Sequence, residues 1–327
     1  MQPKRLLPGL ALLCAGAILS RAIASVTGVT ELLIAIGLGA ALVNGPGVPE
    51  RCRPGLETHS FWLAAGIVLM GASLSLGTVR EAGVVVLAVI VLVIGVTIAV
   101  VEALSRRIFG LGEKLGSLLA AGAGICGVSA VVAVAGTIRA QEDQIAYAAA
   151  TVLLFDAITL VVYPIAGGLL GLSDVVFGVW AGVSMFSTGP VVAVGFAYSE
   201  AAGQWATLTK LSRNALIGVV VLAYAAYYTR SETEGQLSVR TLWAEFPTFV
   251  LGFLALAIVG TLGVFSPAHR AAIDTAYSWL FLLAFVGLGT EIQLHQLRNT
   301  GIRPIVVVFV SLAIGSTLSL ALLTMVF

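Results

Sequence analysis

Two runs of sequence set the terms for everything else: Val84–Val101 and Ile305–Val326 each pass without a charged residue. About 18 apolar residues, wound as a helix rising about 1.5 Å per residue, suffice to cross roughly 30 Å of hydrocarbon. Composition agrees, with 59% of the 327 residues hydrophobic and 10% charged, against about 25% charged in a soluble domain. No soluble globule could hide that much apolar surface, because a large share of any globule faces water. A membrane β-barrel is excluded too, since its strands alternate apolar and polar residues in short segments. The sequence therefore predicts an all-α, polytopic membrane protein.

Apolar segments fall near 6–26, 31–46, 60–77, 84–104, 117–138, 145–170, 175–197, 207–229, 247–265, 275–290 and 304–325, giving about eleven transmembrane helices. The positive-inside rule tests this count, because cytoplasmic loops carry the excess of Lys and Arg. On the side of the N-terminus lie Lys4, Arg5, Arg51, Arg53, Arg106, Arg107, Lys114, Arg230, Arg240, Arg298 and Arg303. The opposite side holds Arg21, Arg80, Arg139 and Arg270. Eleven against four predicts a multi-pass protein of the plasma (inner) membrane with its N-terminus cytoplasmic and its C-terminus external. Lys4-Arg5, the apolar run after it and Ala22-Ile23-Ala24 have the outline of a signal peptide. Arg21 just before the supposed cleavage point favours a first span instead. The polar stretch Arg230–Glu245 reads as a cytoplasmic linker, leaving residues 1–327 as a single transmembrane domain.

Net charge is +1, which gives no reason to expect nucleic acid. Cys14, Cys52 and Cys126 are scattered, with neither disulfide-framework nor metal-site spacing, and the three histidines are unpaired in spacing. No metal and no cofactor is expected. Phosphate-binding loops, nucleophile elbows and zinc-protease motifs are missing, so neither ATP-driven transport nor hydrolysis finds support.

Two stretches resemble each other: Ala121-Gly122-Ala123-Gly124-Ile125-Cys126-Gly127-Val128-Ser129-Ala130-Val131-Val132-Ala133-Val134 and Ala181-Gly182-Val183-Ser184-Met185-Phe186-Ser187-Thr188-Gly189-Pro190-Val191-Val192-Ala193-Val194. Gly and Pro there break a helix and free backbone polar groups, which hydrocarbon cannot tolerate unless they face protein, water or substrate. Paired interrupted spans point to a transporter's binding site; the plainer reading is close packing through small residues. Only one span separates the two, so as crossings they would run parallel. Either one segment is re-entrant or the similarity is convergent. A second echo joins Leu69–Leu74 to Phe285–Thr290, on spans that run in opposite directions, as inverted repeats require.

Asp156 sits mid-span in Val152–Ile158, where a carboxylate is costly and reads by default as functional, here as a proton carrier. A structural acid, paired with another helix, is the alternative. Lys210 and Arg213 share a helix face by their i, i+3 spacing and suit an anionic substrate, since Arg can grip an oxyanion with two donors. Snorkelling to the interface would explain them otherwise, more easily for Lys210. His59 reads as interfacial, and Asn44 as a cap or a ligand.

The segment Gly124-Ile125-Cys126-Gly127-Val128-Ser129-Ala130 resembles the YeiH family, whose members carry the name of sulfate exporters. The resemblance extends through Ala133–Arg139, Val152–Pro164, Phe177–Gly182, Lys210–Arg213, Phe249–Phe253 and Phe285–Pro304. It implies a secondary transporter of the cation/proton-antiporter and bile-acid-symporter type, with a panel and a core built on inverted repeats. It also implies that Gly127, Ser129, Lys210 and Arg213 occupy motif positions. Where that family tends to have Ile-His-Asp/Glu-x-x-Gln-Val, this chain has Met185-Phe186-Ser187-Thr188-Gly189-Pro190-Val191. The titratable pair is missing, so its chemistry does not carry over. Asp156 stands where the family usually has a small residue.

The function expected from sequence is thus secondary active transport of a small anion, sulfate or organosulfonate-like, by alternating access and in the direction of export. Its binding residues would be Cys126, Gly127, Ser129, Ser187, Thr188, Lys210 and Arg213, with Asp156 coupling protons. A sodium-coupled organic-anion symporter is the alternative, and a membrane-embedded enzyme a weaker one. The partners expected are the anion, a coupling proton or sodium ion and the bilayer, and a homodimer is compatible with the sequence.

Overall fold

The computed structural model describes residues 5–73, 76–229, 249–293 and 301–326. The linker read at Arg230–Glu245 lies outside them. The helices, in chain order, are α1 (Leu7–Thr27), α2 (Glu31–Asn44), α3 (Arg53–Leu56), α4 (His59–Met70), α5 (Leu76–Ala103), α6 (Glu113–Ala121), α7 (Val128–Ile138), α8 (Glu142–Leu169), α9 (Asp174–Ser184), α10 (Thr188–Tyr198), α11 (Glu200–Asn214), α12 (Ile217–Thr229), α13 (Phe249–Thr261), α14 (Pro267–Glu291) and α15 (Ile302–Val326). No strand occurs among the described residues. Among the described residues, six helical stretches are long and apolar enough to cross a membrane, beginning at Leu7, Gly83, Glu142, Glu200, Pro267 and Ile302. The chain forms two compact units, Met1–Ala82 with Thr248–Leu294 and Gly83–Pro247 with His295–Phe327.

In the first unit, Gly28 ends α1 in the left-handed conformation, its N–H returning to Ala24 O at 3.1 Å. Arg21 then clasps Glu31 at the start of α2, Nε to Oε2 at 2.8 Å. The α2 and α14 backbones approach closely where Gly39 faces Gly289, a contact that side chains would prevent. Helices α4 and α14 run antiparallel. His59 lies beside Gly287, Gly66 beside Phe281, and Ser73 Oγ donates to Asp274 at 2.5 Å. The two segments of the second sequence echo therefore do run in opposite directions.

The second unit holds the main departure from a simple succession of crossings. Lys114, at the start of α6, donates from Nζ to Arg139 O just past α7 at 3.0 Å, and Gly122 faces Val131. Pairs of constant index sum mean antiparallel halves, so α6 and α7 form a helical hairpin that enters and leaves on one side. The second repeat does the same. Tyr198, ending α10, donates from its hydroxyl to Leu172 O just before α9 at 2.6 Å, and its ring stacks on Phe177 with centroids 3.8 Å apart. Helix α11 confirms the directions. It parallels α9, with Gly178 against Ala202 and Gly182 against Ala206, and opposes α10, with Gly195 against Gly203 and Asn214 bonded to Thr188.

Between the hairpins, α8 spans 28 residues, enough for a full crossing. The first hairpin's base is therefore at one end of the unit and the second hairpin's base at the other. Their tips meet between, where a Cβ on Gly127 would land on the Ser187 side chain. Each of the eleven apolar segments of the sequence carries helix, but 117–138 and 175–197 turn back instead of crossing. Both members of the repeat are re-entrant, which resolves the parallel-crossing difficulty: one intervening crossing now makes them inverted. The eighth segment also begins earlier than its apolar run, at Glu200, because Ser199 Oγ caps the helix by accepting the Ala202 N–H at 3.0 Å.

Candidate functional site

Each hairpin tip is built by residues that cannot continue a helix. In the first, a wide turn closes with Gly127 N–H donating to Gly122 O at 3.0 Å. Gly127 then takes φ 70° and ψ −136°, a region that side chains strongly disfavour. In the second, Met185 and Ser187 are extended (ψ 158° and 149°), and Thr188 restarts the helix with Pro190 in its first turn. There proline costs little, since first-turn N–H groups have no partner within the helix.

Both tips therefore present the carbonyl end of one half-helix and the amide end of the next. Their carbonyl ends are sealed by α11. Lys210 Nζ donates to Ile125 O at 2.8 Å and to Met185 O at 3.0 Å, one from each hairpin. Arg213 donates from Nε to Gly124 O at 2.9 Å, from Nη1 to Met185 O at 2.6 Å, and from Nη2 to Ala123 O. Both side chains are fully buried, so neither snorkels. A helix C-terminus carries about half a negative charge, so two such ends compensate a good part of these two cations.

The amide ends face the other way and are more open. Ser129 in the first turn of α7 is exposed, and Ser187 and Thr188 are half-buried. Asp156 stands at the midpoint of α8 and is buried, with Oδ1 accepting the Ser187 N–H at 3.0 Å while Oδ2 has no partner. It acts as a carboxylate cap on α10, the favoured end for a negative charge. Asn214 Nδ2 donates to Thr188 Oγ1 at 2.9 Å, and its Oδ1 is also unpartnered. Two turns along α8, Tyr163 donates to Ser184 Oγ at 2.8 Å and stacks on Trp180 with centroids 4.2 Å apart.

The structure thus brings Cys126, Gly127, Ser187, Thr188, Asp156, Lys210 and Arg213 to the two tips, with Ser129 on the open side of the first. Sequence reasoning missed Asn214 and the carbonyls of Ala123, Gly124, Ile125 and Met185. Asn214 carried a signal, lying one residue past Arg213 on a helix already of interest, whereas backbone carbonyls carry none. His59 and Asn44 belong to the first unit. His59 faces Glu291 at 3.1 Å, and Asn44 Nδ2 donates to Ile292 O at 2.7 Å. A separate cavity of about 600 Å³, lined by Glu102, Arg106, Tyr224 and Tyr227 among others, opens near the first hairpin's base.

The family described as Conserved hypothetical protein 698 matches residues 8–308, covering both hairpins and α8. The chain belongs to that family. Among similar proteins is a UPF0324 membrane protein of Nitratidesulfovibrio vulgaris, 32% identical over 96% of this chain and 92% of the relative. Another is a UPF0324 membrane protein of Bacillus cereus, 33% identical over 88% of this chain and 83% of that protein. A Rhodopirellula baltica relative of the same name is 26% identical over 90% of this chain and 57% of its own length. No solved structure matches the chain. The relatives are named as membrane proteins, in agreement with the apolar helices here.

Proposed function

We propose that this protein is a secondary active transporter that exports a small anion, sulfate or an organosulfonate, by alternating access, and not an enzyme. The observation that carries the reading is the meeting of two inverted re-entrant hairpins at Asp156, midway along α8, and at Lys210 and Arg213 near the end of α11. Interrupted helices in inverted repeats are how secondary transporters place a binding site at mid-membrane.

The anion would bind at the amide ends, among the first-turn N–H groups and the hydroxyls of Ser129, Ser187 and Thr188, with Cys126 and Gly127 shaping the turn. Lys210 and Arg213 would supply positive potential from behind, their donors being engaged with carbonyls. Asp156, with one oxygen on α10 and one free, would take up and release the coupling proton. The charges of the second unit support the proposed orientation, with Arg139, expected on the opposite side from eleven crossings, brought by the hairpin to the side of Lys114. Arg106, Arg107, Lys114, Arg139 and Arg303 gather at the first hairpin's base, where Arg106 bonds Ser117 and Arg303 reaches Phe109 O. The positive-inside rule puts that end in the cytoplasm.

Reconstitution tests the reading. Proteoliposomes loaded with labelled sulfate or a small organosulfonate should release it down an imposed pH gradient, and a thermal-shift screen of anions should show saturable stabilisation. Failure of every oxyanion and organosulfonate in both assays, with protein that remains folded, would reject it. Sodium-coupled symport is the second reading, favoured only by the presence of broken-helix carbonyls.

A further inference from the structure

In carriers with broken helices, the freed carbonyls at half-helix C-termini are what coordinate coupling cations. In this chain those carbonyls already hold a cation that is part of the protein. We propose that the Lys210 ammonium is a tethered cation standing where a free coupling ion would bind. The intact carrier then works without sodium, and removing the side chain opens a site for a small monovalent cation.

The geometry is that of an ion bridging the two hairpins. Nζ takes Ile125 O from the first hairpin and Met185 O from the second at 2.8 and 3.0 Å, the ordinary range for an ammonium donor. Arg213 occupies the remaining carbonyls, Ala123 and Gly124, and shares Met185. Charge balance points the same way. Two helix C-termini contribute roughly one negative charge together and Asp156 another, against the two cations. A third cation would enter a site whose negative charge is already matched, and would have to compete with Lys210 and Arg213 for the carbonyls of Ala123, Gly124, Ile125 and Met185. Deleting Lys210 leaves about one negative charge, Ile125 O without a donor and Met185 O with Arg213 alone, which is what a monovalent cation would satisfy.

Only the sodium clause rests on the transporter reading; the cation site is a statement about binding. The test is thermal unfolding of purified wild type, Lys210→Ala and Lys210→Gln. Each is titrated with sodium, potassium, ammonium or methylammonium chloride against choline chloride at constant ionic strength. Wild type should show the same midpoint in every salt. Lys210→Ala should lose stability in choline and recover it saturably with at least one of the small cations. Lys210→Gln, whose amide donates to the same carbonyls without charge, carries the titration should the alanine variant not fold. A sodium-specific rise in the wild-type midpoint, or variants indifferent to every cation, would overturn the proposal. Anion release from wild-type proteoliposomes should proceed equally in sodium and in choline. Release that requires sodium would also overturn it while leaving the transporter reading intact. No release of any anion would reject that reading, and the cation titration would still decide this one.

Discussion

Replacing Arg213 with lysine keeps the charge and removes the planar fork, and the structure says what that should cost. The guanidinium serves three carbonyls, those of Gly124, Met185 and Ala123, through separate nitrogens. A single ammonium on a shorter reach can hold one of them, most naturally Met185. Two charge-assisted hydrogen bonds are then lost, each worth about 1.5–3 kcal/mol, and two carbonyls stay buried without donors. The expected loss is about 3 kcal/mol or more, concentrated at the first hairpin's tip. Local opening should therefore become about a hundredfold more frequent, or beyond, at tenfold per 1.4 kcal/mol. Hydrogen exchange followed by mass spectrometry reads this directly, since the Gly127 and Val131 amides donate to Gly122 O and Gly127 O in the closed tip. Peptides covering 119–131 should exchange faster in Arg213→Lys, while peptides from α15 stay unchanged. Equal exchange at the tip in both proteins would refute the view that Arg213 holds the hairpin by its carbonyls.

Other outcomes follow from the same geometry. Asp156→Asn should fold, because the amide oxygen can still accept the Ser187 N–H, yet flatten the pH dependence of anion transport; a preserved profile would demote Asp156 to a structural cap. Gln141→Cys, between the first hairpin and α8, should react with an impermeant thiol reagent only from the cytoplasmic face. Leu172→Cys should react only from outside; the reverse pattern would restore two full crossings in place of the hairpins. Gly127→Ala should destabilise the protein by roughly 1–2 kcal/mol from the backbone conformation alone, and by more from contact with Ser187. An unchanged unfolding midpoint would show that the tips can separate freely.

How much of this was readable beforehand depends on the kind of physical constraint involved. Membrane residence and the placing of apolar segments follow from composition and run length, because the bilayer imposes a minimum on both. The two tips were legible as well, since Gly127 readily adopts a conformation that ends a helix and Pro190 is tolerated in a helix's first turn. The repeat could be seen, but its hand could not. Residues 117–138 and 175–197 are long enough to cross as single helices, and a chain that turns back at Gly127 has the same hydropathy as one that continues. Only the pairing of Lys114 with Arg139 and of Tyr198 with Leu172, between residues 25 and 26 apart, separates the two.

The partners of Arg213 were out of reach for a related reason. The sequence determined that a guanidinium would sit inside an apolar span, and the expense of burying it there determined that it must be compensated. Backbone carbonyls have no letter in the sequence, however, and whether they are free depends on how the chain is bent 28 residues upstream at Met185 and 89 and 90 residues upstream at Gly124 and Ala123. The tertiary structure decided that the positive charges close the hairpins from behind and that the open side belongs to the helix N-termini. Hydrocarbon supplies no water to hydrogen-bond either group, so each had to find its partner within the fold.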